Sequence, residues 1–255
     1  MKISIITSTY NRRDLLPRLK DSIFENAKIY PDIEWLIMDD GSAISIEDMV
    51  IEWKQEAIFP IYYFTQKNQG KMAALNHLIP HVSGDILIEM DDDDYFVNDV
   101  FSKIVSDYEK IKDQDDIYGV IYEKQIIGHE QRIKSTLNGK VKKLYDLHYR
   151  ENEDFDMVLT FKTEYRKQFE YQLEHGERFS TEARMYYKMD EKKKDKHMTS
   201  RMLTYAGGLM AISGILMALC DRLAIGGIMW AAASCMFFAA YNFRVAEDKK
   251  EKAEQ

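Results

Sequence analysis

Asp85-Ile-Leu-Ile-Glu-Met-Asp-Asp-Asp-Asp94 decides how this chain is read. Ser83-Gly84 precedes it, and the apolar run from Asp85 to Met90 has the length and flanks of a buried β-strand. Four consecutive carboxylates, Asp91 to Asp94, then leave the carboxyl end of that strand. Like charges this close repel, and a fold tolerates them only where water or a cation compensates. In open α/β sheets ligands collect beyond the carboxyl ends of strands. Two readings follow: an acidic solvated turn, or a divalent-metal site that holds a phosphorylated ligand. The residues upstream favour the second.

Upstream, Lys2 to Thr7 reads as an opening strand, and Ser8-Thr-Tyr-Asn11 as a polar loop. Arg12 to Asn26 has helical spacing through Leu15, Leu16, Leu19 and Ile23. Ile33 to Met38 is a second strand that ends in Asp39-Asp40-Gly41-Ser42. A short helix carries Ile46, Met49, Val50 and Trp53; a third strand runs from Ile61 to Phe64, and a helix from Gln69 to about Pro80. Downstream, Val97, Val100, Phe101, Ile104, Val105 and Tyr108 make one helical stripe, and Ile117 to Tyr122 continues the sheet. Gln125 to Glu153 is polar and carries no assignment. Val158 to Phe161 reads as a late strand and Thr181 to Met189 as a helix. Strands alternating with helices predict an α/β fold, its sheet mostly parallel and flanked by helices.

Two common phosphate-binding devices are excluded. The first glycine of the chain is Gly41, so no GxGxxG turn follows the first strand, and no GxxxxGK[ST] loop occurs. Phosphate charge therefore falls to a metal and to side chains. Asp91 and Asp93 are offered for the ion, with Lys71 and Arg12 as cations; Mg²⁺ and Mn²⁺ favour such oxygen ligands. Residues two apart on extended chain point the same way, which groups Asp91 with Asp93 and turns Asp92 aside. Asp94 is expected in an outer layer around the ion.

KISIITSTYNRRDLL (2–16), IEWLIMDDGS (33–42), NQGKMAALN (68–76) and SGDILIEMDDDDYF (83–96), in this order and spacing, resemble family 2 glycosyltransferases of the GT-A fold. MVLTFKTEYRKQFEY (157–171) and HGERFSTEARMY (175–186) resemble the acceptor side of the same family more loosely. The resemblance implies that Thr7, Tyr10, Asn11 and Arg12 hold the nucleoside and that Asp39 accepts a hydrogen bond from uracil. It places Lys71, and Asn76 one helical turn on, near the sugar nucleotide. Asp91, Asp92 and Asp93 fall on the DxD signature, with Asp91 and Asp93 on the metal, Mn²⁺ or Mg²⁺. The base of an inverting transfer is expected at Glu182, whose helix Ser180-Thr181 would cap, with Glu177 as the alternative. Singly these residues have plainer readings: Tyr10 as core, Asn11 as a cap, Asp39 to Ser42 as a turn, either glutamate as a helix-start carboxylate. The ordered set carries the assignment.

A net charge of −8 argues against a general nucleic-acid binder. Cys220 and Cys235 both lie in an apolar tail, which leaves neither a disulfide framework nor a zinc ligand set. His129, His148 and His175 lack metal-ligand spacing. The amino terminus lacks the apolar core of a secretory signal. The expected organisation is a catalytic domain over 1–190, a basic linker over 191–201, a two-helix transmembrane hairpin over 202–242 and a charged tail over 243–255. The spans Leu203 to Cys220 and Leu223 to Tyr241 are each about 18 or 19 residues, near the lower limit for crossing a bilayer. Lysines and arginines at both ends place those ends, with the catalytic part, on the cytoplasmic face of the cell membrane. The expected activity is transfer from a UDP-sugar to a glycan or lipid-linked acceptor; homo-oligomerisation stays open. A non-catalytic nucleotide-sugar-binding or assembly protein is the alternative, and a nucleotidyltransferase is disfavoured for want of a glycine-rich first loop.

Overall fold

The computed structural model describes residues 1–125, 139–149, 157–174, 177, 180–191 and 201–211, with the backbone alone at 125, 148, 149 and 201–211. Three parallel strands begin the fold: β1 (Ile3–Thr9), β2 (Ile33–Asp39) and β3 (Ile61–Thr65). Helices α1 (Leu16–Ile29) and α2 (Glu47–Glu56) connect them. The chain continues through α3 (Lys71–Leu78), β4 (Ile86–Glu89), the two-residue β5 (Tyr95–Phe96) and α4 (Val100–Ile111). After these come β6 (Ile117–Gln125), β7 (Val141–Lys142), α5 (Leu144–Tyr149) and β8 (Met157–Lys162). Then follow α6 (Thr163–Arg166), α7 (Ala183–Glu191) and β9 (Arg201–Ala211). Among the described residues the strands form one mixed sheet in the order β3-β2-β1-β4-β8-β6-β9-β5, with β7 on β9.

The sheet is covered on both faces, which is why β1 and β2 read as near-continuous apolar runs. One face packs Ile3, Ile5, Trp35 and Ile37 against Leu19 and Ile23 of α1, Val50 of α2 and Phe101 of α4. Residues of opposite parity, Ile6, Leu36 and Met38, face Met72, Leu75 and Leu78 of α3; Phe161 of β8 and Met185 of α7 belong to that same second cluster. α1 begins four residues later than its apolar spacing suggested. Asn11 takes a left-handed backbone (φ 54°) and Pro17 lies in the first turn, where its missing N–H costs nothing.

β8 runs antiparallel between β4 and β6. It makes the sheet mixed and carries the chain back past the carboxyl end of β4. The polar stretch left unassigned holds the last residue of β6, Gln125, together with β7 and α5.

The expected hairpin needs a correction at its start. Residues 201–211 are extended backbone, paired along β6, where a helix from Leu203 was expected. An uncharged apolar run fits a buried strand as well as a helix, and Gly207-Gly208 penalises the helix. No helix among the described residues is long and apolar enough to cross a membrane. The rest of the hairpin, both cysteines and the basic linker lie outside the described residues. Met1–Ser213 is one compact unit by itself.

Candidate active site

β4 ends beside β1, and the chain beyond it delivers Asp91 to Asp94 as a turn whose Asp94 N–H bonds to Asp91 O. Oxygens of Asp91, Asp93 and Asp94 lie within 4.8 Å of one another. Lys71 Nζ stands 2.6 Å from Asp91 Oδ1, and Lys124 Nζ 2.6 Å from Asp94 Oδ2. Arg12 Nη1 donates to Asp92 Oδ1 at 2.9 Å and to Asp93 Oδ2 at 3.2 Å. Burial works against ionisation of Asp91, but Lys71 and then Lys124 hold its carboxyl below the ordinary range. Burial pushes Asp94 up to about 6 against the pull of Lys124. Its Oδ1 is buried with no hydrogen-bond partner among the described residues. Three converging carboxylates, one with an unsatisfied oxygen, suit a hard divalent cation. Asp94 belongs to this cluster itself, not to an outer layer. Asp92 turns aside as expected, to Arg12.

A cavity of ≈ 180 Å³ opens next to the cluster, with Lys71, Asp91 and Lys124 among its lining residues. Glu89, Tyr171, Glu182 and Tyr186 complete its polar wall, and Leu75, Met157 and Leu159 its apolar one. Glu182 sits just ahead of α7, where its carbonyl accepts from Met185 and Tyr186 N–H. Burial raises the Glu182 carboxyl above its ordinary value, Lys71 opposes that rise, and Asp91 and Glu89 add to it. The other candidate base, Glu177, folds back to accept from Glu174 N–H at 2.9 Å and is not among the residues that line the cavity.

Several expected contacts are placed otherwise. Thr7 is fully buried and its hydroxyl accepts from the Trp35 indole at 3.1 Å, so it is a core group. Asn76 spends both amide atoms on the main chain of Tyr171, at 2.9 and 2.8 Å. It fixes a cavity residue instead of lining the cavity. Tyr10 is exposed, and Asn11 bridges to the second loop by accepting from Ala43 N–H at 2.8 Å. Asp39 accepts from Ser42 N–H at 2.8 Å and from Tyr63 Oη at 3.3 Å. Its neighbour Asp40, absent from the sequence assignment, accepts from Gln69 and Gly70 N–H ahead of α3 and so seats the helix that starts at Lys71. Gly41 (φ +80°) lets that turn pass Asn68, since an added Cβ would come 2.8 Å from its backbone nitrogen.

Sequence reasoning missed Lys124, Glu89, Arg166 and Tyr171. Glu89 had a signal, as the one charge inside an otherwise apolar run. Lys124 had little, because β6 was expected to stop at Tyr122.

A mixed sheet between helices with a carboxylate cluster beyond a central strand is a GT-A-like arrangement. The sequence model of glycosyl transferase family 2 matches residues 4–213, and the chain belongs to that family. Among curated relatives, an uncharacterized glycosyltransferase of Nostoc sp. is 31% identical over 134 residues, 52% of this chain and 40% of the relative. An undecaprenyl-phosphate 4-deoxy-4-formamido-L-arabinose transferase of Salmonella choleraesuis is 32% identical over 94 residues, 36% of this chain and 29% of the relative. The chain thus spans under half the length of these relatives. Among solved structures, residues 1–349 of S. aureus TarS superpose with a TM-score of 0.64 at 15% identity, covering 84% of this chain and 60% of that TarS fragment. The mannosyltransferase PcManGT of Pyrobaculum calidifontis, in complex with GDP-Man and Mn²⁺, gives 0.56 at 15% identity over 83% of this chain and 56% of its own.

Proposed function

We propose that the chain is a metal-dependent inverting glycosyltransferase that moves a sugar from UDP to a hydroxyl of a glycan or lipid-linked acceptor. The observation that carries this reading is one cavity lined by Glu182, Lys71 and Asp91 together, beside the three-carboxylate cluster. TarS has been solved with UDP and with UDP-GlcNAc, which supports the donor class. Asp91, Asp93 and Asp94 would hold the ion. Bound there, it supplies Lewis-acid neutralisation of the charge on the departing diphosphate.

The protein's own groups supply the remainder. Glu182 takes the proton from the acceptor hydroxyl as that oxygen bonds to the anomeric carbon and the bond from carbon to phosphate oxygen breaks. A carboxyl lifted above its ordinary range is a stronger base toward a hydroxyl, and Lys71 and Arg12 keep positive charge where the diphosphate sits. Membrane attachment, with the catalytic part on the cytoplasmic side, is proposed through the apolar sequence that follows residue 212. Between β9 and Asp221 only nine residues remain, too few to cross a bilayer, whereas Leu223 to Tyr241 keeps 19.

Calorimetric titration with UDP tests the donor site. Wild type is expected to bind UDP in Mn²⁺ and to lose at least about tenfold in affinity in chelator, and Asp93→Asn to show no Mn²⁺ dependence. Equal UDP affinity in Asp93→Asn and wild type with Mn²⁺ would refute the site.

A further inference from the structure

Glu89 and Leu87 lie two apart on β4, so their side chains share the sheet face of α3 and α7. Glu89 is the residue of that strand that reaches the cavity, with its side chain 11% exposed. A carboxylate this little exposed is costly unless it is paired. The structure answers with dedicated partners. Arg166, whose side chain has no exposed surface, donates through Nε to Glu89 Oε1 at 2.7 Å. Tyr171 Oη donates to Oε2 at 2.6 Å. Arg166 also donates through Nη1 to Phe169 O at 2.6 Å and lies 4.9 Å from the Tyr171 ring centroid. Asn76 closes the set by gripping Tyr171 through both main-chain groups.

A buried ion pair adds little stability over apolar side chains of the same volume, so this one is poorly explained as packing. It does fix a carboxylate, in one orientation, on the wall of a cavity that also holds Glu182. Each carboxylate oxygen has two acceptor sites, and the named partners use one on each, leaving acceptor capacity for two hydroxyls. Discrimination among sugars is strongest where a fixed acceptor meets a hydroxyl that the wrong sugar lacks or misplaces. We propose that Glu89 is a specificity-determining residue that accepts hydrogen bonds from hydroxyls of the donor sugar, held in place by Arg166, Tyr171 and Asn76 as positioning residues. The inference rests on the donor reading above and adds the group that reads the sugar.

The test uses the full chain in Mn²⁺, titrated with UDP, UDP-glucose, UDP-galactose and UDP-GlcNAc. Glu89→Gln removes the charge, and a Glu89→Met/Arg166→Met double variant replaces the pair with apolar side chains and leaves no orphaned ion. Both variants are expected to bind UDP as wild type does. Both are also expected to flatten the roughly tenfold or larger spread among the UDP-sugars that wild type shows. UDP binding together with an unchanged ranking and spread in both variants overturns the assignment of Glu89 and leaves the donor reading intact. Failure of wild type to bind UDP at all overturns both, and a wild type that does not distinguish the three sugars overturns the role of Glu89.

Discussion

Glu182 lines one cavity with Lys71, Asp91 and Glu89, and its proton affinity follows from burial and that company. Burial and the two carboxylates favour the protonated form, while Lys71 favours the charged one. The folded-state pKa is thus above the ordinary glutamate value of 4.5, and the base is lost as pH falls through that raised value. Turnover is expected to fall on the acid side along a limb centred above 4.5. Glu182→Gln is expected to keep UDP affinity and lose about 10²–10⁴ in kcat, measured as UDP release with acceptor. Retained turnover in that variant would move the base elsewhere. At this scale the sequence is informative about residue types and weak about where side chains point. Ser180 and Thr181 flag the helix start at Glu182, and the run from Asp91 to Asp94 flags the cation site. Nothing in the spacing from Lys71 to Asn76 tells that Asn76 turns to the Tyr171 backbone, because a helix offers one position to several neighbours. Thr7 is a residue of the same kind. The alternation of β1 permits its hydroxyl to face a ligand, and only the Trp35 indole shows otherwise.

α7 follows directly on Glu182 and is anchored near its other end by Asp190. Asp190 accepts from Tyr118 Oη at 3.0 Å and from the N–H groups of Leu144 and Tyr145 at 3.3 and 2.8 Å, tying α7 to β6 and to the first turn of α5. Burial pushes this carboxyl up to about 6 from an ordinary 3.8, against the donors that favour its charge. Between those values the folded chain keeps a proton that the unfolded chain has released, so this group lowers stability as pH rises from about 4 to about 6. Urea unfolding across that range is expected to show a shallower decline in Asp190→Asn than in wild type; the same slope in both would contradict the assignment. Asp190→Ala strands three donors and is expected to cost about 2–4 kcal/mol at pH 7. The elements themselves were legible where apolar periodicity is strong, from β1 through α4, the two-residue β5 excepted. α5 and β7 were not, since short polar segments fold on contacts made from outside, such as this carboxylate. The antiparallel sense of β8 is likewise a property of where the chain returns and leaves no mark within Met157–Lys162.

Over the whole molecule, the family match and the first compact unit end at the same residue, Ser213. Under the proposed membrane attachment, a chain stopped after Ser213 is expected to lose that attachment and to keep UDP affinity in Mn²⁺. One stopped after Ser200 loses β9 from between β6 and β5, and is expected to unfold at lower urea concentration. Equal stability of the two would mean that residues 201–211 belong with the apolar tail, as the sequence suggested. A uniformly apolar run has no periodicity with which to choose between strand and helix, and only its pairing partners decide. The central claim is that the carboxylates beyond β4 grip a divalent ion that bridges to a nucleoside diphosphate. Anomalous diffraction from crystals soaked in Mn²⁺ and UDP tests it most directly. A manganese peak in contact with Asp91, Asp93 and Asp94 and with UDP phosphate oxygens is the predicted result; bound UDP with no such peak, and Lys71 and Lys124 still on the aspartates, would contradict it.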